Sequence, residues 1–192
     1  TWDVADFPGT SAGKLVYGNG VYLYSAGTTH WYSSDGYTWT SKAFPESGSL
    51  RFDDGQFTIF NNSTKVYTSV DGQNWETRTL PACPNSGQWY TFGAGDGKIM
   101  ILPYNAKHVL LSNDKGVTWN IMTDVMPVNA TIDANFVFGG GAWFAVPNNS
   151  LAGIYSTDSG ATWQTATLGS KIGAVCYFND SFLSVPYAVV VS

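Results

Sequence analysis

Short runs in which β-branched and aromatic residues alternate with polar ones recur along the chain. Each run breaks after a few residues at a pair that tolerates positive φ: LVYGNGVYLY (15–24), LRFDDGQFTIF (50–60), YTFGAGDGKIMIL (90–102) and FVFGGGAWFAV (136–146). Alternation with period two predicts strands. Asn-Gly, Asp-Gly and Gly-Gly supply the two positive φ angles that two-residue hairpin turns require. Each hairpin is followed by a loop, a third strand and one of four related strings: SSDGYTW (33–39), SVDGQNW (69–75), SNDKGVTW (112–119) and STDSGATW (156–163). A further strand leaves each string: TWTSKAFP (38–45), NWETRTLP (74–81), TWNIMTDVMP (118–127) and TWQTATLG (162–169). One unit is therefore a four-stranded antiparallel meander.

The closing tryptophans Trp39, Trp75, Trp119 and Trp163 stand 36, 44 and 44 positions apart. Periods near 40 with four strands per unit are the signature of β-propeller blades. The chain ends fit the same scheme. TWDVADFP (1–8) matches a fourth strand, and GAVCYFNDSFLSVPYAVVVS (173–192) matches the first three, with an Asn-Asp turn at 179–180 and Ser192 where a string would begin. The expectation is an all-β, five-bladed β-propeller forming a single domain over residues 1–192. Its blades are 9–45, 46–81, 82–127, 128–169, and a split blade of 1–8 with 170–192. The N-terminal strand closes the ring by pairing with the C-terminal three, which removes open sheet edges and sets the termini side by side at the fifth string.

Composition narrows the class. The chain is 44% hydrophobic and 16% aromatic but only 12% charged, unlike a disordered segment. A net charge of −5 without a basic cluster argues against a nucleic-acid partner. No apolar run is long enough for membrane insertion. Cys83 and Cys176 allow one disulfide, or two buried thiols acting as small apolar residues, and the second is favoured. No metal-ligand spacing occurs, so neither metal nor cofactor is expected.

The strings resemble Asp-boxes, S-x-D-x-G-x-T-W; those at 112–119 and 156–163 fit in full, while those at 33–39 and 69–75 are one residue shorter. Asp-boxes occur in sialidases and other glycosidases, in sortilin-type receptors, in a photosystem assembly factor and in many phage tail proteins. The resemblance implies a turn between the third and fourth strands of a blade, on the face away from any ligand. It assigns structural roles to Ser33, Asp35, Gly36 and Trp39; to Ser69, Asp71, Gly72 and Trp75; to Ser112, Asp114, Gly116 and Trp119; and to Ser156, Asp158, Gly160 and Trp163. The physics agrees. The aspartate accepts turn N–H groups, the glycine takes φ > 0, and the tryptophan can wedge between blades and bury about 200 Å².

Catalysis is not expected. Sialidases grip their sugar with three arginines, whereas this chain has Arg51 and Arg78 only. Glycoside hydrolysis needs two facing carboxylates, and the two glutamates, Glu46 and Glu76, suggest no such pair. Asp53, Asp54, Asp96 and Asp180 fall in hairpin turns, while Asp6, Asp124 and Asp133 lie near the other face without an evident partner. His30 and His108 have no nucleophile context.

Binding is expected opposite the strings, where loops vary between repeats. The insertion ACPNSGQWY (82–90) and the loop LPYNAKH (102–108) belong to one blade. Trp89, Tyr90, Tyr104, Asn105 and His108 are the candidate ligand-binding residues, since rings stack on sugar faces while amides fix hydroxyls. Tyr90 and Trp89 could equally be packing residues. The reading that follows is a receptor- or glycan-binding module of a phage tail fibre or similar extracellular adhesion protein, located on a virion tail or outside the cell. Its partners would be a cell-surface glycan or host receptor and the remainder of a larger fibre protein, and the resemblance implies a homotrimer through flanking regions. The alternative is a structural or assembly propeller that binds a protein partner.

Overall fold

Five two-residue turns carry positive φ at both positions: Asn19-Gly20, Asp54-Gly55, Asp96-Gly97, Gly140-Gly141 and Asn179-Asp180. Such turns match the right-handed twist of paired strands, so each closes a hairpin. The computed structural model describes residues 13–44, 46–61, 64–104, 106–127, 136–147 and 151–186. Residues 1–12 and 187–192, where the closing strand and Ser192 were expected, lie outside the described residues.

The strands are β1 (Lys14–Gly18), β2 (Val21–Ala26), β3 (Thr29–Ser33), β4 (Thr40–Ala43), β5 (Ser49–Asp53), β6 (Gln56–Phe60), β7 (Lys65–Ser69), β8 (Glu76–Thr79) and β9 (Gln88–Gly95). They continue as β10 (Lys98–Tyr104), β11 (Val109–Ser112), β12 (Asn120–Met122), β13 (Phe136–Gly139), β14 (Ala142–Ala145), β15 (Ala152–Ser156), β16 (Gln164–Thr167), β17 (Ile172–Phe178) and β18 (Ser181–Pro186). They form four antiparallel four-stranded meanders, β1–β4, β5–β8, β9–β12 and β13–β16, followed by the β17–β18 hairpin. The chain divides into two compact units, Thr1–Leu80 and Pro81–Ser192.

The first unit holds the β1–β4 and β5–β8 sheets around Leu23, Phe44, Leu50, Phe57, Ile59 and Tyr67. The side chain of Asn19 in the first hairpin turn reaches the second sheet, donating to the carbonyls of Gly55 and Val70 at 2.8 Å each. The second unit packs Met100, Leu102, Val109, Phe136, Trp143 and Trp163 between the third and fourth sheets. Phe144, Val146 and Phe182 cluster where the β17–β18 hairpin meets the fourth sheet. Middle strands are buried and fourth strands are exposed, as β6 and β4 illustrate. That gradient explains why the polar fourth strands TSKA and ETRT carry no hydrophobic alternation.

Adjacent sheets interlock by a ring-on-glycine device. A Cβ added to Gly18 would meet the Phe52 ring at 2.2 Å, one on Gly95 would meet Phe138 at 2.1 Å, and one on Gly139 would meet Tyr177 at 2.0 Å. Each glycine ends the first strand of its sheet, and each ring lies on the first strand of the next. The bare backbone is the seat for the ring.

Both cysteines are free. Cys83 is half-buried and Cys176 exposed. This corrects the expectation of two buried thiols: Cys176 lies on β17, the opposite side of the strand from Val175 and Tyr177, which point inward.

Candidate functional site

The four strings are self-contained polar clasps. In each, the serine hydroxyl donates to the aspartate Oδ1, at 2.8 Å from Ser33, 2.9 Å from Ser69, 2.7 Å from Ser112 and 2.8 Å from Ser156. The serine Oγ in turn accepts the N–H of Gly36, Gly72, Gly116 or Gly160. Asp35 Oδ1 accepts the N–H groups of Tyr37 and Thr38, and Asp71 Oδ1 those of Gln73 and Asn74. Asp114 and Asp158 accept the N–H of Thr118 and Thr162, and their Oδ2 atoms accept those threonine hydroxyls at 2.6 Å. The extra residue of the two longer clasps is Lys115 or Ser159, held in the left-handed region just before the glycine. It is accommodated without breaking the serine–glycine bond.

These bonds hold the aspartates ionised. The Thr38 and Tyr37 N–H groups and the Ser33 hydroxyl bring Asp35 down to about 2. The Thr118 hydroxyl and N–H do the same for Asp114, also about 2. Asp71 is lowered chiefly by the Asn74 N–H, and Asp158 chiefly by the Thr162 hydroxyl. The indole N–H groups of Trp39, Trp75 and Trp163 donate back to the glycine carbonyls of their own clasps. Trp119 makes no such bond, and its N–H has no partner among the described residues. Only Trp163 is fully buried; Trp39, Trp75 and Trp119 are half-buried, so the expected deep wedge holds for one clasp in four. The donors around each aspartate leave these carboxylates spent on the turn.

At the other end of the third sheet the loops make a cleft of about 410 Å³. Its walls come from the segment entering β9, the β10–β11 connection and the segment leaving β12, and they include Pro84, Asn85, Tyr104, Lys107, His108 and Asp124. Tyr104 is half exposed, at 51%. A register shift between Leu102 and Pro103 leaves Tyr90 as the extra residue of β9, and its ring lies 5.3 Å from that of Tyr104. Asn85 sits in the left-handed region within a one-turn 3-10 helix at Pro84–Ser86.

His108 is only 3% exposed and is fixed from two sides. The Asp124 N–H donates to its Nδ1 at 3.3 Å, and the Asn85 amide lies 3.3 Å from its Nε2. Two of the expected ligand contacts are therefore corrected. Trp89 is 1% exposed, with its indole N–H donating to the Pro81 carbonyl at 2.8 Å, so its ring is packing and offers no face to a ligand. His108 lines the cleft as a buried support whose two nitrogens are already engaged. Tyr90 is half-buried behind Tyr104, and Asn105 lies outside the described residues. Asn85 and Lys107 were not singled out from the sequence, and Asp124 was placed near this face only as a carboxylate without an evident partner. The Pro-Asn-Ser-Gly run at 84–87 was a turn signal that could have pointed to Asn85.

Several other titratable groups are tied into the fold. Lys65 and Asn61 both hydrogen bond to Glu46, and the Lys65 contact leads in lowering its pKa. Glu76 pairs with Arg78 on the exposed β8. Burial pushes the Cys83 thiol up. His30 stacks on Phe44 at 4.3 Å, and burial lowers it to about 4. Among the described residues, no group of His, Cys, Asp and Glu could hold a metal ion.

No protein-family model matches the chain. No curated protein matches it by sequence. Solved structures do resemble it. YCF48 from Cyanidioschyzon merolae is 13% identical with a TM-score of 0.67, over 92% of this chain and 65% of that one. A structure of YCF48 bound to D1 peptide is 14% identical with a TM-score of 0.65, over 92% and 62%. The GH74 enzyme of Niastella koreensis is 19% identical with a TM-score of 0.54, over 81% and 24%. These are β-propellers, and at such identities the likeness is one of fold: the all-β meanders match a propeller. The chain spans just under two thirds of the length of either YCF48 chain.

Proposed function

We propose that this chain is a non-catalytic binding module that holds a peptide segment of a protein partner in the cleft beside Tyr104. The observation that carries the reading is the cleft itself. It combines an exposed aromatic ring, a buttressing second ring and a fixed amide, at the end of the third sheet away from the clasp. A concave site with one aromatic anchor and a few placed polar groups is what recognition needs. Catalysis has little to draw on there. Both nitrogens of His108 are engaged, the Cys83 thiol is raised by burial, and the clasp aspartates bond the donors of their own turns. A protein of the same fold, YCF48, has been seen with a bound peptide.

A second reading is favoured by the same ring and amide, because a tyrosine face beside an amide also suits a neutral sugar. In that reading the chain is a glycan- or receptor-binding part of a phage tail fibre or extracellular adhesion protein. For either, residues 1–8 are proposed to complete the sheet begun by β17 and β18, giving five blades in one domain over 1–192.

The test is a paired screen of the protein against a random-peptide display library and a glycan array, each repeated with Tyr104→Ala. Peptides enriched by the wild type and lost with the variant support the first reading. Glycan binding lost with the variant supports the second. Binding in both screens that ignores Tyr104→Ala, or none in either, overturns the assignment of this cleft.

A further inference from the structure

The occupant of the cleft can be specified further, on the premise that it is a peptide. Three backbone donors in and beside the walls are already used. The Gly87 N–H donates to the Pro84 carbonyl at 3.1 Å, the Met126 N–H to the Lys107 carbonyl at 3.2 Å, and the Asp124 N–H to His108. At the rim, Tyr104 is paired across to Gln88 in the β9–β10 ladder. These three N–H groups are closed to an incoming strand, so the side chains of the walls carry the proposed recognition.

Those side chains are mostly donors, and Asn85 is oriented as one. Because His108 Nδ1 accepts the Asp124 N–H, the neutral ring carries its proton on Nε2 and donates from there. The oxygen and nitrogen of an amide are told apart by their partners. Asn85 Nδ2 lies 3.3 Å from His108 Nε2, which would set two donors face to face, so we assign the amide in the reverse sense, with Oδ1 toward His108 and the NH2 left to the cleft that Asn85 lines. Lys107 adds an ammonium and Tyr104 a hydroxyl, against the single carboxylate of Asp124. A ligand suited to this wall has exposed carbonyls and few N–H groups of its own, with an apolar ridge for the Tyr104 ring. A polyproline-II segment has that chemistry: prolyl residues carry no N–H, their carbonyls point outward, and the rings pack on aromatic side chains.

We infer that the cleft recognises a proline-containing polyproline-II segment, with Tyr104 as the stacking platform and the Asn85 NH2 as the donor that fixes a peptide carbonyl. Asn85 is the specificity-determining residue. Its left-handed conformation is one that asparagine and glycine tolerate, so Asn85→Gly removes the amide while keeping the backbone.

The experiment titrates acetylated, amidated decaproline and a glycine-serine decapeptide into the protein by calorimetry. Nitrogen-15 spectra of the His108 ring then read its tautomer. Decaproline is expected to bind in preference to the glycine-serine peptide, to weaken at least fivefold with Asn85→Gly and at least tenfold with Tyr104→Ala, and His108 is expected to be protonated on Nε2. A proton on Nδ1 overturns the orientation of Asn85. If library-selected peptides bind through Tyr104 but decaproline does not, this inference fails and the peptide-binding reading stands. If no peptide of either kind binds, both fail.

Discussion

His30 shows how much one residue's setting decides. It is 3% exposed, stacked on Phe44, edge-on to Trp75, and its Nε2 has no partner among the described residues. Lys42 is its cross-strand neighbour on β4. Burial favours the neutral ring, so the folded pKa falls from 6.5 to about 4. As pH drops through that window the unfolded chain binds a proton that the folded chain refuses. Stability therefore falls from pH 6.5 towards pH 4. Urea midpoints measured at pH 7 and pH 4 should differ clearly in the wild type and much less in His30→Leu. The clasp aspartates act lower: Asp35 and Asp114 are depressed to about 2, so their contribution is present above 3.8 and lost between there and 2. In the same clasps, Ser156 is buried and bonds both Asp158 and the Gly160 N–H. Ser156→Ala strands a buried donor and should cost about 1–3 kcal/mol in chemical denaturation. No such cost in that variant would mean the clasp is ornamental.

At the scale of elements, the hairpins and clasps were readable because their chemistry is local. Asn-Gly and Asp-Gly dictate positive φ within two residues, and a Ser-x-Asp turn closes on its own backbone. The ring-on-glycine seats were not readable, because they join residues more than thirty positions apart on different sheets. They are also not strictly repeated: the second sheet ends its first strand in Asp53 where others have Gly18, Gly95 and Gly139. The burial of Trp89 was equally hidden, since a tryptophan beside a tyrosine in a loop-like string gives no sign of which way it faces. The seats lead to a sharp expectation. Gly95→Ala places a methyl inside the Phe138 ring and should destabilise by about 1–3 kcal/mol or more. Combining it with Phe138→Ala should recover part of that loss in a double-mutant cycle. Strict additivity of the two changes would argue that the ring and the glycine do not bear on each other.

For the whole molecule, the four meanders and the final hairpin followed from the repeat, whereas the cleft emerged only from tertiary placement. Asn85, Tyr104, Lys107 and Asp124 are far apart in sequence and meet because entry, second connection and exit share one end of an antiparallel meander. The proposed fifth blade makes its own prediction: deleting residues 1–8 should lower the thermal midpoint by several degrees, and an unchanged midpoint would refute closure by that strand. The central claim is a division of labour, with clasps serving the fold and the opposite end of the third sheet serving recognition. Two exposed tyrosines make the test direct, Tyr104 at 51% beside the cleft and Tyr37 at 59% in a clasp. The measurement is the calorimetric affinity of one library-selected peptide for Tyr104→Ala and for Tyr37→Ala. The account predicts a loss of at least tenfold for the first and no change for the second; equal losses, or a loss with Tyr37→Ala alone, would contradict it.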